Sequence, residues 1–165
     1  MSDIWFPETL KDLLSPQEMA QLSGLEFIQG IAKGHYPAPP ICKTLNYWME
    51  SAETGEVVFR GQPNFASLNP LGTIHGGWFG TLLDSCMACA VQTTLPKGSG
   101  YTTLEYKINI IRPLFADSGE VRAIGKASHS GRRTGVAEGR IIGAEDGKLY
   151  ATGSTTCIVF EFDKK

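Results

Sequence analysis

The chain has 165 residues, of which 42% are hydrophobic and only 19% charged. That length suits one domain with an added segment and is too short for two ordinary domains. Fifteen basic against seventeen acidic residues leave a net charge of −2, without the basic excess that nucleic-acid or anionic-membrane binding requires.

The four cysteines, Cys42, Cys86, Cys89 and Cys157, are too few and too scattered for a disulfide framework and read as reduced core thiols. Met1 to Pro7 lacks a basic start followed by an apolar run, and no stretch reaches the roughly 18 apolar residues of a membrane span. A soluble cytoplasmic protein is expected.

In chain order, Ser15-Pro16-Gln17-Glu18 combines an N-cap serine, a proline at the first helical position and a glutamate three residues after the cap. A helix over 16–33, ended by Gly34, is predicted. The prolines of His35–Pro40 then form a stiff connector that excludes helix and central strand. Residues 1–40 are thus an N-terminal helical appendage before a main domain at 41–165. Strands are predicted at 44–53 and 56–61 around a Thr54-Gly55 turn. Residues 74–94 follow a helical pattern that is apolar on nearly all sides, with Phe79, Leu82, Leu83, Met87, Ala90 and Val91 as core candidates.

The last 65 residues alternate with period two, in strands near 101–112, 119–130, 133–144 and 149–160. An antiparallel meander is their simplest pairing. The class is α+β, a curved antiparallel sheet wrapped around one long central helix.

Between Arg60 and Lys97 runs a 36-residue stretch whose only formal charge is Asp84. A carboxylate on an otherwise apolar helix loses solvation, a cost tolerated only with compensation. Gly77, Thr81, Asp84, Ser85 and Ala88 share one stripe of small and polar side chains. Gly76, Gly77 and Gly80 crowd the helix start, where backbone N–H groups without helical partners can hold a developing oxyanion. Water activated by Asp84, or Asp84 itself, would then attack a carbonyl polarised by the Gly76 N–H. The chemistry indicated is hydrolysis of an activated acyl compound.

The run Asn69-Pro70-Leu71-Gly72-Thr73-Ile74-His75-Gly76-Gly77, followed by Leu82-Leu83-Asp84, resembles the signature of hotdog-fold acyl-CoA thioesterases. The likeness is in particular to the PaaI-like (phenylacetate-pathway) branch of the 4-hydroxybenzoyl-CoA thioesterase superfamily. The resemblance covers about Ile41 to Phe160 and implies the hotdog fold, with the N-terminal helix as an extra. It also implies that Asp84 is the catalytic carboxylate, as base or nucleophile, and that the Gly76 N–H polarises the thioester carbonyl. His75 and Asn69 match polar residues lining the site. Thr103 matches a supporting Ser/Thr, with Thr102 one residue away.

Such a site lies between subunits of a homodimer, often within a homotetramer, with Asn69, His75 and Gly76 from one chain and Asp84 and Thr103 from the other. Gly77, Thr102 and Gly131 are assigned to substrate and coenzyme A binding together with Arg132 or Arg133, since arginine's planar fork suits phosphate. The +4 balance of residues 97–140 supports that assignment. Coenzyme A is part of the substrate, and no metal or other cofactor is expected. The rival reading is a non-catalytic acyl-CoA-binding protein, a sensor or carrier. Residues 1–40 are either a helix packed on the sheet exterior or a cap over the acyl or nucleotide channel.

Overall fold

The computed structural model describes residues 4–162, so the outermost three residues of both expected segments, 1–40 and 41–165, lie outside the described residues. Its architecture is a six-stranded antiparallel sheet curved around one central helix, preceded by short N-terminal helices. This is the hotdog arrangement expected from the sequence. No helix among the described residues is long and apolar enough to cross a membrane.

The predicted helix over 16–33 is two helices, α1 (Pro16–Met19) and α2 (Gly24–Ala32). Two capping boxes divide it. Glu18 Oε2 accepts the Ser15 N–H at 2.8 Å, and Glu26 Oε2 accepts the Ser23 N–H at 2.7 Å, so Ser23-x-x-Glu26 starts a new helix. The break lets Gly24 dock, its N–H donating to the Leu95 carbonyl at 3.0 Å. A Cβ on Gly24 would overlap the Gln92 carbonyl oxygen. Gly34 ends α2 with φ +74°.

The connector is shorter than expected. Pro40 occupies the first position of α3 (Pro40–Thr44), where its missing N–H costs nothing. The first strand therefore begins later than the predicted residue 44, after Asn46 turns the chain in a left-handed conformation (φ 54°).

Strands β1 (Tyr47–Glu53) and β2 (Glu56–Gly61) form the predicted hairpin, with Gly55 at φ +78°. The central helix is α4 (Gly76–Gln92), and the later strands are β3 (Ser99–Ile110), β4 (Val121–Ser130), β5 (Thr134–Gly143) and β6 (Leu149–Glu161). The order across the sheet is β1-β2-β4-β5-β6-β3. Only β4, β5 and β6 form the expected meander. β3 pairs with β6 instead of β4, because α4 carries the chain across the sheet and delivers it to the far edge. β4 then fills the place beside β2.

All six core candidates on α4 are buried. Each such Leu, Phe or Met side chain contributes about 1.5–3 kcal/mol when fully removed from water. The close fit is set at Gly125 of β4, where a Cβ would overlap the Cys86 carbonyl. Substituting Gly125→Ala forces sheet and helix apart and should lower unfolding stability by about 1–3 kcal/mol. Urea denaturation measures it, and an unchanged midpoint would show that the backbone relaxes freely there.

Candidate active site

Asp84 sits midway along α4, half-buried. Its Oδ1 accepts a hydrogen bond from Thr103 Oγ1 at 2.9 Å, and its Oδ2 has no partner among the described residues. Burial raises the carboxyl pKa above the ordinary aspartate value, while the Thr103 hydrogen bond pulls it down. Strand alternation separates Thr103 from its neighbour. Thr103 pairs with buried Cys157 on the face turned to α4, whereas Thr102 is exposed and pairs with Ile158 on the other face.

His75 is the N-cap of α4. Its Nδ1 accepts the Gly77 N–H at 2.9 Å, which leaves the ring proton on Nε2 when the imidazole is neutral. The Gly77 N–H is thereby occupied, and the Gly77 carbonyl accepts from Thr81 Oγ1 at 3.0 Å. The Gly76 N–H has no partner among the described residues. It lies at the positive end of the helix dipole.

Asn69 shapes the loop before the helix. Its Oδ1 accepts the N–H groups of Leu71 (2.9 Å) and Thr73 (3.3 Å), and its Nδ2 donates to Thr73 Oγ1 at 2.8 Å. The next residues are anchored by Ile74 N–H to the Leu114 carbonyl and His75 N–H to the Ser67 carbonyl, both 2.8 Å. Within this chain Asn69 holds the loop that presents the helix start.

One chain does not bring all these groups together. Gly76 and Asp84 are eight residues apart on one straight helix, about 12 Å at 1.5 Å per residue, too far to act on a single carbonyl. Gly131, Arg132 and Arg133 form the β4–β5 turn near the other end of α4, where Thr94 Oγ1 donates to Ser130 Oγ at 2.6 Å. The Gly131 N–H closes that turn on the Thr134 carbonyl at 2.8 Å. Both arginines are exposed and ion-paired to nothing among the described residues.

Sequence reasoning missed the surroundings of the carboxylate. Tyr47 Oη and Ser85 Oγ share a hydrogen bond at 2.9 Å. Tyr101 Oη lies 3.9 Å from Cys89 Sγ, whose thiol is pushed up to about 12 by burial. Alternation in the first strand marks Tyr47 as inward-facing, but nothing local names its partner 38 residues away. A cavity of about 290 Å³ adjoins Tyr47 under the N-terminal segment. A larger one, about 570 Å³, is bordered by Lys107, Lys126 and Arg140 on the sheet face away from α4, remote from Asp84. No group of three or more His, Cys, Asp or Glu side chains among the described residues could share a metal ion.

The family model of the thioesterase superfamily matches residues 71–150. Among solved structures, the chain is similar to a phenylacetic acid degradation-related protein of Ralstonia eutropha JMP134, at 29% identity over 80% of this chain and 98% of that one, with a TM-score of 0.71. A conserved protein of Pseudomonas aeruginosa is 31% identical over 73% of this chain and 93% of its own, with a TM-score of 0.67. A point mutant of the phenylacetic acid degradation protein PaaI from Thermus thermophilus is 28% identical over 72% of this chain and 97% of its own, with a TM-score of 0.65. Among curated proteins none matches.

The raised pKa of Asp84 makes its ionisation a cost to folding. A carboxyl that binds its proton more tightly folded than unfolded contributes stability at low pH that is lost as pH rises through the folded pKa. Asp84→Asn should therefore be more stable than the native chain at pH 7, with the advantage disappearing below the ordinary aspartate value of 3.8. Thermal unfolding across that range tests it, and a gap that widens toward low pH would contradict the sign.

Proposed function

The chain belongs to the thioesterase superfamily, and from that premise we propose that it hydrolyses an acyl-CoA thioester to a free carboxylic acid and coenzyme A, with Asp84 as the reacting carboxylate. The observation that carries this reading is the state of Asp84. One oxygen is held by Thr103, the other has no partner among the described residues, and the group is desolvated enough to be a stronger base than an aspartate in water.

The spacing of about 12 Å along α4, at helical rise, argues that the oxyanion donor and the carboxylate act from different chains. The β3 edge offers the contact. Its outer side is unpaired over Ser99–Ile110 among the described residues, and Leu104, Tyr106 and Ile110 are exposed along it, next to Phe160 of β6. Such an edge is the kind that a second strand completes. A second copy set antiparallel along β3 would face its Gly76 N–H toward this chain's Asp84. In this homodimer His75 caps the helix, Asn69 holds the loop and Thr103 orients the carboxylate.

The carbonyl oxygen of the substrate then accepts from Gly76 N–H, which stabilises negative charge as the tetrahedral intermediate forms. In the general-base route, Asp84 Oδ2 takes a proton from water as the water oxygen bonds to the carbonyl carbon. The intermediate collapses by breaking the C–S bond, and the proton passes to the departing thiolate. In the nucleophilic route Oδ2 bonds to the carbon itself, the thiolate leaves, and water hydrolyses the resulting anhydride. Both routes require ionised Asp84. The Arg132-Arg133 turn is assigned to the phosphates of coenzyme A, on charge and on their lack of ion-pair partners among the described residues. Thr94, beside that turn, is about 15 Å along the chain from Asp84 at helical rise, a span suited to an extended pantetheine arm.

Thiol release from a panel of aryl and aliphatic acyl-CoAs tests the reading. Asp84→Asn should lose about 10²-fold or more in kcat. Activity that survives the substitution overturns the mechanism, and binding without turnover promotes the sensor or carrier reading. The acid limb of kcat/KM should lie above the ordinary aspartate value, and Thr103→Val should move it higher by removing the one hydrogen bond that favours the charged form.

The shared site has its own test. Gly76→Pro removes the N–H at a helix position that proline tolerates. Co-expressed Asp84→Asn and Gly76→Pro chains should recover activity that neither has alone. Failure to complement, with both variants folded and dimeric, would place the two groups in separate sites.

A further inference from the structure

Tyr47 opens β1 with its ring buried against Phe59, the centroids 5.7 Å apart. Its hydroxyl ends on Ser85, the residue after Asp84, at 2.9 Å. The same residue lines the cavity of about 290 Å³, together with Ile4, Phe6, Cys42 and Trp48. Tyr47 thus touches both the surroundings of the carboxylate and a mainly apolar space walled in part by the N-terminal segment. Ile4 and Phe6 pack against the core, and the Trp5 carbonyl accepts the Ala38 N–H at 3.0 Å, which ties that wall to the segment before α3. Burial pushes the Cys42 thiol up to about 11, so Cys42 joins Ile4, Phe6 and Trp48 as an uncharged part of this wall, with Lys43 and Asn46 completing it.

Resting on the thioesterase reading above, we propose that Tyr47 sets the length limit for the acyl group: an acyl chain lying beside Asp84 stops at the Tyr47–Ser85 hydroxyl pair, and the cavity behind Tyr47 is the space a smaller side chain would open. The protein is then a hydrolase of short or single-ring acyl thioesters. Pushing an aliphatic chain past this point separates two hydroxyls from each other without offering either a new partner, and unpaired buried polar groups are costly. The N-terminal segment supplies Ile4 and Phe6 to the wall of the reserve space, so its influence on substrate choice passes through Tyr47.

The test uses the full chain and measures kcat/KM on acetyl-, butyryl-, hexanoyl-, decanoyl- and benzoyl-CoA. The native protein should fall off steeply between butyryl and decanoyl. In Tyr47→Leu the decanoyl-to-butyryl ratio should rise about tenfold or more. Tyr47→Phe keeps the ring and its packing but loses the hydroxyl, so it should fold like the native chain and raise the ratio by a smaller factor, about threefold. An unmoved ratio in both variants overturns the inference. If Tyr47→Leu does not fold, the unmoved ratio in Tyr47→Phe overturns it alone. A native chain that turns over all the esters equally overturns the length limit and leaves the thioesterase reading standing, whereas a native chain that releases thiol from none of them overturns both.

Discussion

Everything in this fold depends on the approach of α4 to the concave face of the sheet. The helix is wrapped by strands from both sides, so it must be apolar around most of its circumference, and it must come close enough for backbone to meet backbone at Gly125 and Cys86. Larger side chains at the contact would hold the layers apart and leave voids that weaken packing. A helix held this way can carry a charge only where the wrapping is incomplete. Asp84 lies in that gap, with Thr103 reaching it from β3 and the Tyr47–Ser85 pair beside it.

The two edges of the sheet meet different fates, and the difference organises the rest of the molecule. The β1 edge is covered by the chain's own α2 and α3. The β3 edge keeps its outer backbone groups unpaired among the described residues, beside exposed Leu104, Tyr106 and Ile110. The N-terminal segment therefore belongs to the closed side of the fold. It is clamped at three places: Gly24 against the end of α4, Gln29 Nε2 on the Ala52 carbonyl of β1 at 3.0 Å, and the Ala20 carbonyl on the Gly98 N–H at 3.0 Å.

Much of the site is legible in the sequence. A single carboxylate in 36 otherwise uncharged residues is conspicuous because burying charge is expensive, and glycines at a helix start advertise free N–H groups. The choice between Thr102 and Thr103 is not legible, since strand parity depends on where the strand begins. Nor is the use of His75 as a cap, because histidine in that position has no strong local preference. The predicted long N-terminal helix misses a second Ser-x-x-Glu box, visible at Ser23 but set against an unbroken helical pattern. The meander misses the far placement of β3, because local alternation reports which face a residue occupies and not which strand lies alongside.

The sequence by itself determined the fold class, the extent of the central helix and the identity of its lone carboxylate, because these rest on periodicity, capping chemistry and solvation, all local in the chain. Only the tertiary structure decided the strand order, the Thr103 to Asp84 hydrogen bond, the Tyr47 to Ser85 contact and the separation of Gly76 from Asp84 along one rigid helix. Those are relations fixed by which surfaces exclude water together, most of them between residues distant in sequence, and no short stretch of chain contains that information.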